Sequence, residues 1–220
     1  MNAEPAPDVD VWRIDLDADP QSVADSLSEA EADRAARLQG ERDRRRFIVA
    51  HGVQRAVLAS YLEIQPREVA VAVGAEGKPE LASGALHFNL AHSGSVAVLA
   101  VSRGRRVGVD IELMRSVRYR ARLVDRMFSA QEASAYSAAP ESERDRAFLE
   151  IWTRKEAVLK AIGVGIGEHL GTISVPHDGT TTEFRGLWTV RDLRPEGEYV
   201  GAVAAEGSGL VVRCHHYQLG

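Results

Sequence analysis

The sequence predicts an α+β fold with a suggestive internal repeat about a central charged turn. Three observations carry that expectation. Two long amphipathic helical segments are each followed by Val- and Ala-rich runs of strand character, the two helices match at a shift of 101 positions, and a charged turn, Arg103-Gly104-Arg105-Arg106, lies midway along the 220 residues. At that shift Arg45 falls on Arg146, Phe47 on Phe148, Ile48 on Leu149, and Ala56-Val57-Leu58 on Ala157-Val158-Leu159. Similarity at a fixed offset marks a repeated unit, although two amphipathic helices can also match without one. The halves are placed at 9–104 and 105–220, behind an Ala/Pro/Asp-rich tail at 1–8 that is expected to be disordered.

Each element follows from local pattern. Val9 to Leu16 alternates apolar and polar, the period of a half-buried strand. A helix is expected after Ser28, which serves as N-cap with Glu31 at capping-box spacing. Asp43 to Leu62 is a long amphipathic helix that opens on Asp43-Arg44-Arg45-Arg46-Phe47. Val69 to Val73 is a strand, followed by a Gly77-Lys78-Pro79 turn. Phe88 to Leu90 and Val96 to Val101 are strands around a predicted tight turn at His92-Ser93-Gly94, and Val107 to Leu113 is another strand. Ser129 caps a short helix reaching Ser137, with Glu132 at its third position. Arg144 to Ile162 is the second long helix, stopped by Gly163 and Gly165. Segments 170–176, 183–193, 199–204 and 210–218 read as further strands.

Composition narrows the function. An apolar fraction of 45% is that of an ordinary globular protein. No apolar run approaches the ~20 residues of a membrane span, and the N-terminus lacks the basic-then-apolar pattern of a signal peptide. The net charge of −5 argues against general nucleic-acid binding. A single cysteine, Cys214, excludes an internal disulfide, fits a reducing cytoplasm and reads as structural filler in an apolar run.

Three stretches carry acids and bases that folding alone does not require. In Val107-Gly108-Val109-Asp110-Ile111-Glu112 the period of two puts Asp110 and Glu112 on one face and Val109 and Ile111 on the other. Two adjacent carboxylates repel unless a cation lies between them, and all-oxygen ligands suit Mg²⁺. A solvated strand edge explains the pair alone equally well. In Trp152-Thr153-Arg154-Lys155-Glu156-Ala157-Val158-Leu159-Lys160-Ala161, Glu156 lies one turn from both Trp152 and Lys160. An exposed i,i+4 pair is the plain alternative, and a third carboxylate with a phosphate-binding lysine is the functional one. The third stretch is Phe88-Asn89-Leu90-Ala91-His92-Ser93-Gly94.

Together these stretches resemble the 4′-phosphopantetheinyl transferases of the surfactin-synthetase type. That family carries an F-N-[IL]-[SA]-H-[ST] segment, a G-[IV]-D-[IV]-E strand and a W-[ST]-x-K-E-[AS]-x-x-K helix, in the order found here. Gly77-Lys78-Pro79, the Arg-rich helix start and Met127-Phe128-Ser129-Ala130-Gln131-Glu132 add to the match, which covers roughly residues 10 to 205. The resemblance implies a pseudo-twofold pair of α+β subdomains with the active site in the cleft between them. It implies transfer of 4′-phosphopantetheine from coenzyme A to a serine of an acyl or peptidyl carrier protein, with release of adenosine 3′,5′-bisphosphate.

The resemblance also implies roles for individual residues. Asp110, Glu112 and Glu156 are the Mg²⁺ ligands, Glu156 is the base for the carrier serine, and Lys160 neutralises phosphate. His92 and Ser93 contact phosphate oxygens, Lys78 and Pro79 the nucleotide, and Arg46 the 3′-phosphate, for which a planar fork is suited; Arg34 could assist. Lys155 points about 100° away from Glu156 on an ideal helix, toward either nucleotide phosphates or solvent. Ala91 and Val158 stand where relatives often carry Ser and an aromatic residue. Between 113 and 128, Arg115, Arg118, Arg120, Arg122 and Arg126 face one acid, Asp125. Such a patch would steer an acidic carrier protein to a monomeric enzyme, or else is a solvated loop. Two rivals remain on the residues. A Mg²⁺-dependent nucleotide pyrophosphohydrolase explains the carboxylates but not the basic segment. A non-catalytic coenzyme A or carrier-protein binding module would be expected to lack one of Asp110, Glu156 or Lys160. The motifs do not name the carrier or its pathway.

Overall fold

The structure is a computed structural model that describes residues 8–74, 77–165 and 169–219. The first half runs β1 (Val9–Asp15), α1 (Gln21–Ala24), α2 (Glu29–Arg37), α3 (Glu41–Leu62), β2 (Val71–Val73), β3 (Pro79–Leu81), β4 (His87–Ser93) and β5 (Val96–Ser102). The second runs β6 (Val107–Leu113), α4 (Arg120–Met127), α5 (Ala130–Ala138), α6 (Arg144–Ile162), β7 (Thr181–Glu183), β8 (Leu187–Leu193), β9 (Tyr199–Glu206) and β10 (Val212–His216). Two four-stranded sheets result, ordered β10-β1-β5-β4 and β6-β9-β8-β7. The sequence repeat becomes a repeat of topology: β1-β5-β4 and β6-β9-β8 have the same order, every pair within them is antiparallel, and α3 and α6 are the equivalent long helices.

Alternating side chains sort the molecule into four layers. Val9, Val11, Val96, Val98 and Ala100 of the first sheet meet Val107, Val109, Ile111, Val203 and Ala205 of the second in a shared core. The other face of the first sheet packs on α3 through Ile14, Val49, Val53, Leu99 and Val101. The other face of the second packs on α6 through Ala157, Leu159, Val190, Ala202 and Ala204. With the apolar residues of β6 turned to the inter-sheet core, its even positions, Gly108, Asp110 and Glu112, must face α6.

Several expectations are corrected. The division at 104–105 does not hold for the C-terminus, because β10 crosses back and pairs parallel with β1 in the first sheet, Val9 opposite Val212 and Arg13 opposite His216. Edge N–H and C=O groups of β1 recruit whichever strand can reach them. Of the expected disordered tail, residues 1–7 lie outside the described residues, whereas Asp8 donates its backbone N–H to Val211. His92 and Ser93 are the end of β4, not a turn; the chain reverses at Gly94, whose φ of 58° suits glycine. Segment 170–176 contains a single 3₁₀ turn at Leu170–Thr172 in place of a strand. The second part of the arginine-rich segment is the helix α4, which begins at Arg120, whereas Arg115 and Arg118 precede it. Both predicted capping boxes are present, Ser28 with Glu31 and Ser129 with Glu132.

Candidate active site

Gly108 sets how closely β6 approaches α6. A Cβ there would lie 2.2 Å from the carbonyl oxygen of Ala157 and 2.2 Å from the amide nitrogen of Ala161. The strand therefore lies directly on the last turns of the helix, where Glu156 and Lys160 project. Lys160 Nζ donates to Asp110 Oδ1 at 2.6 Å, while Asp110 Oδ2 is buried without a hydrogen-bond partner. Glu156 is 3% exposed. Burial raises the Asp110 carboxyl to about 6 against the pull of Lys160. Burial, helped by the charge of Asp110, raises Glu156 to about 7. Glu112 sits at the open end, where its carboxylate accepts from Ser93 Oγ at 2.9 Å and lies 3.6 Å from Arg115.

The remaining motif residues of α6 build the scaffold. Arg154 makes two 2.6 Å bonds to Asp192 and donates to the carbonyl of Pro176. Lys155 is fully buried and paired with Glu132 at 2.6 Å, and it also donates to the carbonyl of Ile173. This corrects the expected cofactor contact of Lys155: pointing away from Glu156 leads into the core, not to phosphate or solvent. Glu132 also accepts the backbone N–H groups of Ser129 and Val175, each at 2.7 Å, so the capping carboxylate anchors three segments at once.

Arg46 and His92 are brought together from α3 and β4, lining a cavity of about 410 Å³ with Phe47, His51, Leu90 and Gly94. Arg46 holds Asp17 through Nε at 2.7 Å and Nη2 at 2.9 Å, and gives Nη1 to the carbonyl of Gly94 at 2.6 Å. Arg34 stacks over Phe47 beside this cavity, 5.3 Å from the ring centre. Lys78 and Pro79 line a different cavity, with His87, Arg106 and Ala161. Lys78 Nζ donates to a carbonyl of β6, Val107 at 2.9 Å, and to one of α6, Ala161 at 3.1 Å, and burial lowers it to about 8. Pro79 opens β3, where its missing N–H costs nothing to the ladder.

The edge strands β4 and β6 meet along a seam between the sheets. No ladder forms; side chains of β4 satisfy the backbone of β6 instead. Asn89 Oδ1 accepts Val109 N–H at 2.9 Å, and Ser93 Oγ accepts Leu113 N–H at 3.1 Å while donating to Glu112. The seam carries β6 and its acids against the strand that bears His92.

Two family models match the chain. Residues 14–104 match the family model described as the N-terminal part of 4′-phosphopantetheinyl transferase, and residues 106–204 match that of the 4′-phosphopantetheinyl transferase superfamily. The chain is 34% identical to the 4′-phosphopantetheinyl transferase HetI of Nostoc sp. over 219 residues, covering 96% of this chain and 92% of the relative. The chain belongs to the 4′-phosphopantetheinyl transferase superfamily. A transferase of Bacillus subtilis is 28% identical over 68% of this chain and 66% of its own length. The L-aminoadipate-semialdehyde dehydrogenase-phosphopantetheinyl transferase of Xenopus laevis is 32% identical over 72% of this chain and 56% of its own length.

As a member of that superfamily the chain is an enzyme, a transferase of the phosphopantetheine group. Whether the transferase's acids suit a metal is a question of donor chemistry. Among the described residues no three His, Cys, Asp or Glu side chains stand together in ligating geometry, and Glu112 contacts Ser93 and Arg115. Asp110 nevertheless offers a buried oxygen with no donor, next to a second buried carboxylate, and hard oxygen donors are what Mg²⁺ takes. The donor set fits.

The arginines of segment 113–128 divide into two groups. Arg120 is spent inside the transferase on Tyr136, Asp145 and Glu141. Arg115, Arg118, Arg122 and Arg126 are exposed, and Arg115 and Arg118 rim a groove of about 450 Å³ floored by Leu123, Phe148 and Trp152 and ending at Glu112. Sequence reasoning missed the roles of Asp17, Asn89 and Glu132 as supports. Asn89 stood within a recognised stretch, but a partner twenty residues away leaves no local signal. Among the described residues no helix is long and apolar enough to cross a membrane.

Proposed function

We propose that this transferase moves 4′-phosphopantetheine from coenzyme A to a serine of an acidic acyl or peptidyl carrier protein, with Mg²⁺, releasing adenosine 3′,5′-bisphosphate. The observation that carries this reading is the buried pair Asp110 and Glu156 sharing one lysine, Lys160, between β6 and α6. In the reaction the serine Oγ attacks the β-phosphorus of coenzyme A. The new O–P bond forms as the bond to the departing bisphosphate breaks. Glu156, a carboxylate whose affinity for protons is tuned near neutrality, takes the serine proton. Lys160 offsets charge on the phosphate. Asp110 and Glu156 would hold Mg²⁺, with Glu112 joining once its contacts are exchanged. The ion, when bound, neutralises charge on the phosphoryl group and leaving group.

Arg46 and His92 line the cavity for the nucleotide end of coenzyme A. The Lys78–Pro79 cavity is the second nucleotide contact in this reading. Ser93 works through Glu112 and the seam. The carrier protein approaches over Arg115, Arg118, Arg122 and Arg126, whose positive field stands out on a chain of net charge −5. The surfactin-type assignment rests on the motif set, and the enzyme acts as a cytoplasmic monomer in this reading. The deciding experiment incubates candidate carrier proteins with coenzyme A, with and without Mg²⁺, and weighs them by mass spectrometry. A phosphopantetheine mass increase that vanishes on chelation supports the reading. Pyrophosphate cleavage of coenzyme A with no modified carrier would replace it by hydrolysis.

A further inference from the structure

We propose that Lys160 is an internal stand-in for the metal: in the metal-free enzyme its ammonium supplies Asp110 with the counter-charge that a divalent cation would supply when bound. This deepens the magnesium reading above and rests on it.

Lys160 Nζ lies 2.6 Å from Asp110 Oδ1, whereas the other oxygen of the same buried carboxylate has no partner at all. One acceptor is therefore filled by a cation from the protein, and the other is left for a ligand. Three acids, Asp110, Glu112 and Glu156, share this corner with Lys160, and Arg115 reaches only Glu112. The lysine can move. Its side chain is 26% exposed and leaves the last turn of α6 on a flexible stem. Lys155, by contrast, is sealed and gives its protons to two acceptors. Its ion pair is part of the wall.

A consequence follows from charge. A cation arriving at the free oxygen without coenzyme A meets the repulsion of the ammonium held on the other oxygen of the same carboxylate. When phosphate is present, the ammonium gains a new anion and the penalty disappears. Lys160 should thus oppose metal binding in the empty enzyme and favour it in the loaded one. A residue that only contacted phosphate would leave metal binding to the empty enzyme unchanged. A residue that merely held the site together would weaken metal binding when removed.

The test titrates coenzyme A-free protein with Mn²⁺, the probe standing in for Mg²⁺, and follows free Mn²⁺ by electron paramagnetic resonance. Lys160→Met should bind Mn²⁺ about tenfold more tightly than wild type, the effect of removing one neighbouring like charge, while losing transfer. Lys160→Arg, which keeps the cation, should bind no more tightly than wild type. Circular dichroism checks folding, and Lys160→Gln replaces the methionine variant if that one fails to fold. Equal or weaker binding by the neutral variants overturns the stand-in role, as does equal tightening in Lys160→Arg. Absence of Mn²⁺ binding in every variant, with wild-type transfer surviving chelation, would instead remove the magnesium reading together with this proposal.

Discussion

Helix α6 carries two lysine–carboxylate pairs five residues apart, each closed at 2.6 Å, and they do opposite things. Lys155 and Glu132 are fully buried, and every oxygen of Glu132 is occupied, by Lys155, Ser129 and Val175. Lys160 and Asp110 lie at the rim, with one carboxylate oxygen unpaired and a second buried acid, Glu156, next door. A satisfied buried network locks one arrangement of segments. An unsatisfied one holds acids near neutral affinity for protons and keeps a place for a ligand. The same residue types thus build the frame at one helical position and, in the proposed function, the chemistry at another.

Predictions can break or sharpen this contrast. The largest effect is expected from Asp110→Ala, which removes the unpaired acceptor. Transfer should fall on the order of 10³-fold or more, given that a catalytic metal supplies several kcal/mol, while the far-UV spectrum stays native. Near-normal turnover by folded protein would put Asp110 on the structural side. Lys155→Met should do the reverse and lower stability by about 3–5 kcal/mol in denaturant unfolding, because it strands the buried Glu132 charge. The double variant with Glu132→Gln should recover part of that loss. A stable Lys155→Met protein with a raised KM for coenzyme A would return Lys155 to the cofactor.

Glu156→Gln comes next, with transfer reduced about 10²-fold or more as the base is lost. The same variant reads out the pH behaviour of the site. Asp110 at about 6 and Glu156 at about 7 both sit above their unfolded values of 3.8 and 4.5. The native metal-free protein therefore favours their protonated forms. Their contribution to stability is full below about pH 4 and is lost as pH rises through about 6 to 7. Unfolding midpoints measured across this range in chelator should fall for wild type, and less so for Glu156→Gln. Parallel profiles for the two proteins would deny that Glu156 is buried among acids. The smallest effect belongs to the surface: Arg118→Glu with Arg122→Glu should raise KM for the carrier several-fold and leave KM for coenzyme A unchanged, with the carrier KM of wild type rising with salt. Equal changes in both constants would mean that these arginines bind phosphate.

Much of this was legible in advance, residue by residue. β6 and α6 begin and end where their patterns predicted, since β alternation, helical periodicity and the stop at Gly163, with φ of 94°, are all local. The capping boxes were legible for the same reason. Lys155 was misjudged because a helical wheel gives its direction but not what waits there, and Glu132 comes from another helix. Lys78 and His92 were expected to serve one nucleotide, yet they line separate cavities.

By itself the sequence determined the main helices and strands, the acidic face of β6 and the Glu156–Lys160 face of α6, because each depends on the spacing of residues along one element. Only the tertiary structure decided which acid Lys160 holds, which lysine is sealed, how β10 returns to β1 and how Asn89 and Ser93 stitch β4 to β6. Those outcomes depend on contacts between residues 19 to 203 positions apart. They are settled by burial and the need to satisfy polar groups, which no single stretch of chain contains.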